Sequence, residues 1–134
     1  MQLLRSFYGK GTFTLYPWKS LQAGMTPPTE CRQISLVPTQ LHRLLDNKQA
    51  LVWLKSLDII YLGGASVLPQ TLERALKEKL KISLCYGMTE TASMIAATHP
   101  SDSPDTTKLK PIAHAQVRTN FSSGRIVDTS TFLS

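Results

Sequence analysis

Residues 57–90 read LDIIYLGGASVLPQTLERALKEKLKISLCYGMTE, and this stretch decides the predicted fold. Residues 57–62 are almost continuously apolar over the length of a strand, which is typical of a strand buried in a parallel sheet. After a pair of glycines, apolar residues recur at helical spacing through residues 69–80. Residues 81–85 then form another strand. A strand, a helix and a strand in this order predict a βαβ unit with parallel strands.

The same alternation extends towards the N-terminus. Residues 33–37 are predicted as a strand, and Pro38 suits the first turn of a helix that reaches Leu45 and keeps Leu41, Leu44 and Leu45 on one face. Upstream, the pattern predicts a helical segment at residues 1–7, a strand at residues 12–16 and a loop at residues 17–32. The predicted fold class is therefore α/β, with a mostly parallel sheet flanked by helices.

The composition of the chain becomes more polar after residue 98. Residues 99–107 form a polar connector punctuated by proline. Two short strands are predicted at residues 115–119 and 124–127, around a Ser-Ser-Gly turn. We therefore expect residues 1–98 to belong to an α/β core and residues 99–134 to hold a connector and the start of a β-rich unit.

Composition narrows the classes of partner. The net charge of +6 suggests nucleic acid, but the basic residues are scattered. The densest run, residues 77–81, lies at a predicted helix end, where cations stabilise the helix dipole. A nucleic-acid-binding module is therefore the weakest alternative, and we expect no nucleic-acid partner. No apolar stretch approaches the roughly 20 residues of a membrane span, so we expect no membrane partner. Cys31 and Cys85 have neither metal-site nor disulfide-scaffold spacing, which favours the cytoplasm.

Gly63 and Gly64 follow a predicted strand directly. Ligands of open parallel sheets tend to bind beyond the carboxyl ends of the strands. A glycine pair there would let a flat ring or a carboxylate approach the backbone closely. The alternative is a tight turn that needs glycine for its dihedral angles, and the pair alone does not decide between them.

Residues 86–90 carry the residue types of a phosphate site. Tyr86 offers a stacking face and Gly87 a close approach, while Thr89 offers a hydroxyl donor and Glu90 a carboxylate. Mg²⁺ prefers one or two carboxylates together with phosphate oxygens, and a hydroxyl beside it can stabilise phosphate charge. The alternative is a loop capped by Thr and Glu.

Several separated segments resemble one enzyme family. Residues 63–66 and 86–91, each after a strand, resemble the core of the adenylate-forming enzymes, the acyl-CoA synthetase and ligase superfamily. Residues 35–45 (SLVPTQLHRLL) and 62–69 (LGGASVLP) resemble most the acid–CoA ligases of menaquinone and phylloquinone synthesis. The resemblance implies that the chain is a fragment of the large N-terminal domain of such an enzyme, with the start of its β-rich subdomain.

The resemblance also implies a reaction and its site. The family uses ATP, Mg²⁺ and CoA: a small carboxylic acid attacks the α-phosphate of ATP, and the CoA thiol then displaces AMP. By the family pattern, the catalytic residues are Thr89, which contacts phosphate, and Glu90, which helps hold Mg²⁺. The substrate-binding residues are Gly63 and Gly64. The nucleotide-binding residues are Gly64, Ala65, Ser66, Cys85, Tyr86, Gly87, Met88 and Thr89.

Other motifs of the family are not found in these 134 residues. They are a phosphate loop with a lysine, an aspartate for the ribose hydroxyls, a hinge, and a C-terminal domain with a catalytic lysine. Without those cations we expect the chain alone to be inactive. One alternative is a non-catalytic nucleotide-binding remnant, or one half of a split enzyme whose complementing chain supplies these groups. Another alternative is an acyl-CoA synthetase for a fatty or an aryl acid.

Overall fold

The fold was derived from a computed structural model that describes residues 7, 9–27, 30–88, 93–99, 109–112, 116–120 and 125–129. In chain order, the regular elements of that part are α1 (Trp18–Gln22), β1 (Gln33–Leu36), α2 (Pro38–Leu45), α3 (Lys48–Ser56), β2 (Ile59–Leu62), α4 (Pro69–Lys77), β3 (Ile82–Met88), β4 (Ser93–Ala97), β5 (Lys110–Pro111), β6 (Gln116–Asn120) and β7 (Arg125–Thr129).

A five-stranded sheet organises the described part of the chain, in the order β1-β2-β3-β4-β5. Strands β1, β2 and β3 are parallel, as the alternation of strands and helices predicts. Strands β4 and β5 continue the sheet antiparallel. β6 and β7 form a separate antiparallel pair, which confirms the two short strands expected near the C-terminus. The division of the chain at residue 98 stays a prediction.

The helices form one layer against the parallel strands, because α2 packs against both α3 and α4. Leu41, Leu44 and Leu45 are all buried, which confirms the predicted apolar face of α2. Helix α3 adds Trp53 and Leu54 to the same core. Each fully buried leucine contributes about 1.5–3 kcal/mol, so this layer holds the sheet together.

Local signals set the helix ends. Pro38 starts α2, and the Val37 N–H donates to Gln40 Oε1 at 3.0 Å. The Asn47 side chain caps α3 by accepting from the backbone N–H groups of Gln49 and Ala50. Each such cap satisfies helix N–H groups that lack an intrahelical acceptor.

Three predictions of secondary structure are wrong. Residues 12–16 form no strand, because no described strand pairs with them, and Leu15 is 84% exposed. Residues 17–32 are not all loop, since α1 lies within them and buries Leu21. The helix predicted to reach residue 80 ends at Lys77, where the chain turns through Lys79 at φ 57°. No described helix is long and apolar enough to cross a membrane.

Candidate functional site

Strands β1 and β2 end at the same level of the sheet, and β3 continues beyond that level to Met88. Leu36, Leu62 and Leu84 are register partners across β1, β2 and β3. Gly63, which directly follows β2, and Cys85, which lies in β3, are therefore side by side at one edge of the sheet. This is the carboxyl edge, where ligands of parallel sheets bind. The structure thus brings together two of the segments that the sequence singled out.

Gly63 is tightly enclosed by the neighbouring strand. Its N–H donates to the Leu36 carbonyl at 3.3 Å. A Cβ atom added to Gly63 would lie 2.9 Å from the Cys85 carbonyl oxygen, closer than real Cβ contacts come. The close packing against β3 is therefore sufficient by itself to require glycine at residue 63, without any ligand. The substrate-binding role expected for Gly63 stays a prediction.

Gly64 needs glycine for a different reason. Its φ is +85°, in the left-handed region that residues with a Cβ rarely adopt, as the tight-turn alternative expects. Gly64, Ala65 and Ser66 are all exposed. Of the residues that the structure describes, an added Cβ on Gly64 would meet only Val37, whose Cγ1 lies at 3.4 Å. These residues therefore present an accessible backbone at the strand edge.

Cys85, Tyr86 and Gly87 lie within β3, and the prediction that the strand ends at residue 85 is wrong. Pairing with β4 extends β3 to Met88, and the register shifts between Tyr86 and Gly87. Cys85 and Tyr86 are half-buried, while Gly87 is exposed. A shift of this kind is common next to binding sites, where it redirects a side chain.

Three hydrogen bonds to Thr98, which the sequence does not predict, hold this part of β3 in place. The Ser83 hydroxyl donates to the Thr98 carbonyl at 2.7 Å, and the Leu84 N–H donates to Thr98 Oγ1 at 2.9 Å. The Thr98 N–H donates back to the Leu84 carbonyl at 2.9 Å. Ser83 and Thr98 are both buried. The sequence signal is a hydroxyl residue within one apolar strand and another directly after a second one, but only the sheet pairing shows that Ser83 and Thr98 meet.

The edge is electrostatically suited to anions. Helices α2 and α4 both begin there, and neither has an acidic residue in its first turn. The positive ends of their dipoles therefore lie at this edge.

The ion pairs of the described residues lie at the opposite edge, where the helices end and the strands begin. They are Arg74–Asp46, Lys55–Glu78, Arg32–Asp58 and Lys81–Asp58. The hydrogen bond from Arg74 holds the pKa of Asp46 below its ordinary value.

Part of the predicted site lies outside the described residues. This part comprises Thr89, Glu90 and the side chain of Met88. The phosphate and Mg²⁺ roles of Thr89 and Glu90 stay predictions. Within the ranges that the structure describes, no three His, Cys, Asp or Glu residues cluster as metal ligands.

Comparison with known proteins gives consistent matches. Residues 4–130 match the family described as AMP-binding enzyme. The chain is 34% identical over 108 residues to 2-succinylbenzoate–CoA ligase of Salmonella typhimurium, covering 74% of this chain and 23% of that protein.

Two solved structures of o-succinylbenzoate CoA synthetase from Bacillus subtilis share the fold. A double mutant bound with its product analogue has a TM-score of 0.72 at 23% identity and covers 95% of this chain and 26% of that one. The complex with ATP and magnesium ion has a TM-score of 0.68 at 22% identity and covers 95% and 27%. The chain thus spans about a quarter of the length of these relatives.

Proposed function

This chain belongs to the AMP-binding enzyme family, and on that basis we propose that it carries part of the adenylation site of an AMP-forming acid–CoA ligase. The proposed acid is o-succinylbenzoate, the substrate in the names of the relatives. The reaction joins the carboxylate to the α-phosphate of ATP with release of pyrophosphate. The CoA thiol then displaces AMP and forms the thioester.

The position of Gly63 beside Cys85 at the carboxyl edge of the sheet, with Gly64 and Tyr86 next in each segment, carries this proposal. In the proposed site, the exposed backbone of Gly64, Ala65 and Ser66 borders adenine and the acyl group. Tyr86 and Gly87 extend along the nucleotide. The nearby helix N-termini favour the negative charge of a phosphate or a carboxylate. Cys31 and Cys85 are thiols that form no disulfide with each other, which fits a reducing compartment such as the cytoplasm.

Thr89 and Glu90 complete the proposed site on the phosphate side. Thr89 would donate a hydrogen bond to a phosphate oxygen. Glu90 would hold Mg²⁺ together with phosphate oxygens, and a single carboxylate suffices for such a site. The ion would neutralise charge that develops on the phosphate during transfer.

Binding of two nucleotides tests the proposal. We expect the 134-residue chain to bind AMP without Mg²⁺, and ATP more tightly with Mg²⁺ than without it, in calorimetric titrations. Glu90→Gln should weaken Mg²⁺-dependent ATP binding about tenfold and leave AMP binding unchanged. Glu73→Gln, an exposed change on α4, is the matched control. Equal effects of both variants would remove Glu90 from the site, and absence of AMP binding would refute the nucleotide site.

A second candidate is nucleotide binding without catalysis by this stretch alone. It is favoured by the coverage, because the chain spans about a quarter of the curated relative. A complementing polypeptide would then supply the remaining catalytic groups. Pyrophosphate release from ATP, Mg²⁺, CoA and o-succinylbenzoate tests whether the 134 residues catalyse the reaction alone. Turnover by the 134 residues alone would exclude the second candidate.

A further inference from the structure

We propose that Val37 is a specificity-determining residue of this site, because its side chain forms an apolar wall for a flat ring bound over the Gly64 backbone. The inference rests on the proposed function, since it requires that the carboxyl edge of the sheet binds an adenylate-type ligand. Such a ligand carries two flat aromatic rings that fit this position: adenine and the aromatic ring of the acid.

The Val37 backbone is held on both sides. Its N–H donates to Gln40 Oε1 at 3.0 Å, and its carbonyl accepts from the N–H groups of Gln40 and Leu41 at 3.0 and 3.1 Å. Pro38 follows and starts α2. Valine is branched at Cβ, which restricts its χ1 angle. The direction of the side chain is therefore set by the fold before any ligand arrives.

Val37 and Gly64 form two sides of one corner. Val37 Cγ1 lies at van der Waals distance, 3.4 Å, from the point where a Gly64 Cβ would stand. The Gly64 backbone is exposed, and Val37 itself is 40% exposed. A ring lying on the Gly64 peptide would thus contact a methyl group of Val37 at its edge. Any side chain on residue 64 would occupy that space.

An exposed valine is not by itself unusual, because single apolar side chains are common on protein surfaces. Val52 on α3 is such a case, at 71% exposure. Val37 differs in its position. It follows the end of β1 directly, faces a left-handed glycine, and is the N-cap residue of α2, whose N-terminus favours an anion. An anionic group joined to a flat ring fits that combination.

Separate titrations with AMP and with o-succinylbenzoate test the inference on the 134-residue chain. Val37→Ala should weaken binding of one of these ligands about fivefold, because it removes the two methyl groups of the wall. Val37→Ile keeps the wall and should stay within about twofold of the wild type. Val52→Ala is the matched control and should change neither affinity. If Val37→Ala does not fold, as judged by circular dichroism, Val37→Thr keeps the branched shape and should weaken the same ligand about twofold.

The pattern across the two ligands decides the result. A loss for AMP alone identifies the ring as adenine, and a loss for the acid alone identifies the acid ring; both support the proposal. An equal loss for both ligands is what general damage to the edge would give, and it overturns the role of Val37. Wild-type binding that Val37→Ala leaves unchanged also overturns it, while the proposed function stands. A wild-type chain that binds neither ligand refutes the proposed function, and this inference with it.

Discussion

Replacing Gly63 by alanine should destabilise the fold through a collision with strand β3. The added Cβ would lie 2.9 Å from the Cys85 carbonyl oxygen and 3.2 Å from Cys85 Cβ. Ordinary van der Waals contact begins at 3.4 Å, so one strand has to move by about half an ångström. The obstructing oxygen is backbone, in a strand paired with β2 on one side and β4 on the other. It cannot turn aside as the tip of a flexible side chain would.

The expected magnitude follows from two opposing effects. Overpacking of this kind costs about 1–3 kcal/mol. Alanine lowers the conformational entropy of the unfolded chain relative to glycine, and this stabilises the folded state by about 0.4–1 kcal/mol. The net loss in the free energy of unfolding should therefore be about 1–2 kcal/mol. Urea denaturation followed by circular dichroism measures it as a lower midpoint with an unchanged slope.

Two neighbouring substitutions serve as controls for Gly63→Ala. Ala65→Ser changes an exposed residue and should alter the free energy of unfolding by less than about 0.5 kcal/mol. Gly64→Ala should cost about 1–2 kcal/mol through its left-handed backbone, with little collision. A Gly63→Ala variant with the urea midpoint of the wild type would refute the packing argument. Ligand approach would then be the remaining reason for glycine at this position.

Three further predictions concern the framework around the site. Thr98→Val leaves the buried Leu84 N–H without its acceptor and should cost about 1–3 kcal/mol in urea denaturation. Asn47→Ala removes the cap of α3 and should cost about 1 kcal/mol in the same assay. Asp46→Asn should lower the thermal midpoint at pH 7, because Arg74 lowers the pKa of Asp46 and so stabilises the folded state wherever the carboxyl is ionised. That stabilisation is lost as the pH falls below the ordinary value of 3.8, so the two melting curves should converge in acid.

Each of these predictions has its own control. Thr26→Val, at an exposed position, should leave stability unchanged, and an equal effect of both threonine variants would contradict the role of the buried acceptor. Asn47→Ser keeps a capping oxygen and should recover most of the loss seen with alanine. Glu73→Gln removes another exposed carboxylate without touching Arg74. If the melting difference for Asp46→Asn were the same at pH 2.5 and pH 7, the ion pair would not be its cause.

The sequence predicts the fold best where local and long-range signals agree. Pro38 and the leucines of α2 define a helix whose bounds the structure reproduces from residue 38 to residue 45. Residues 12–16 show the limit, since alternation of side chains makes a strand only where a partner strand exists. Residues 46–56 carry a local helix signal of their own for α3, because Asn47 caps it and Ala50, Trp53 and Leu54 recur at helical spacing.

The candidate site was predictable as a set of segments but not as a geometry. Glycine at residue 63 suggests either a ligand or a turn, and nothing local shows that the Cys85 carbonyl lies against it. The end of β3 was placed too early, because its extension depends on pairing with β4. Tyr86 therefore lies within a strand instead of a loop. The roles of Thr89 and Glu90 stay predictions.

The sheet combines parallel strands, β1 to β3, with antiparallel strands, β4 and β5, and this has a consequence for folding kinetics. The pairing of β3 with β4 joins Met88 to Ser93, which are close in sequence, whereas the pairing of β1 with β2 joins Gln33 to Ile59. A shorter loop loses less entropy on closure, and contacts between residues near in sequence form faster. The antiparallel half should therefore assemble first and offer β3 as a template to β2 and then to β1. Amides of β3 and β4 should gain protection from hydrogen exchange earlier during refolding than those of β1.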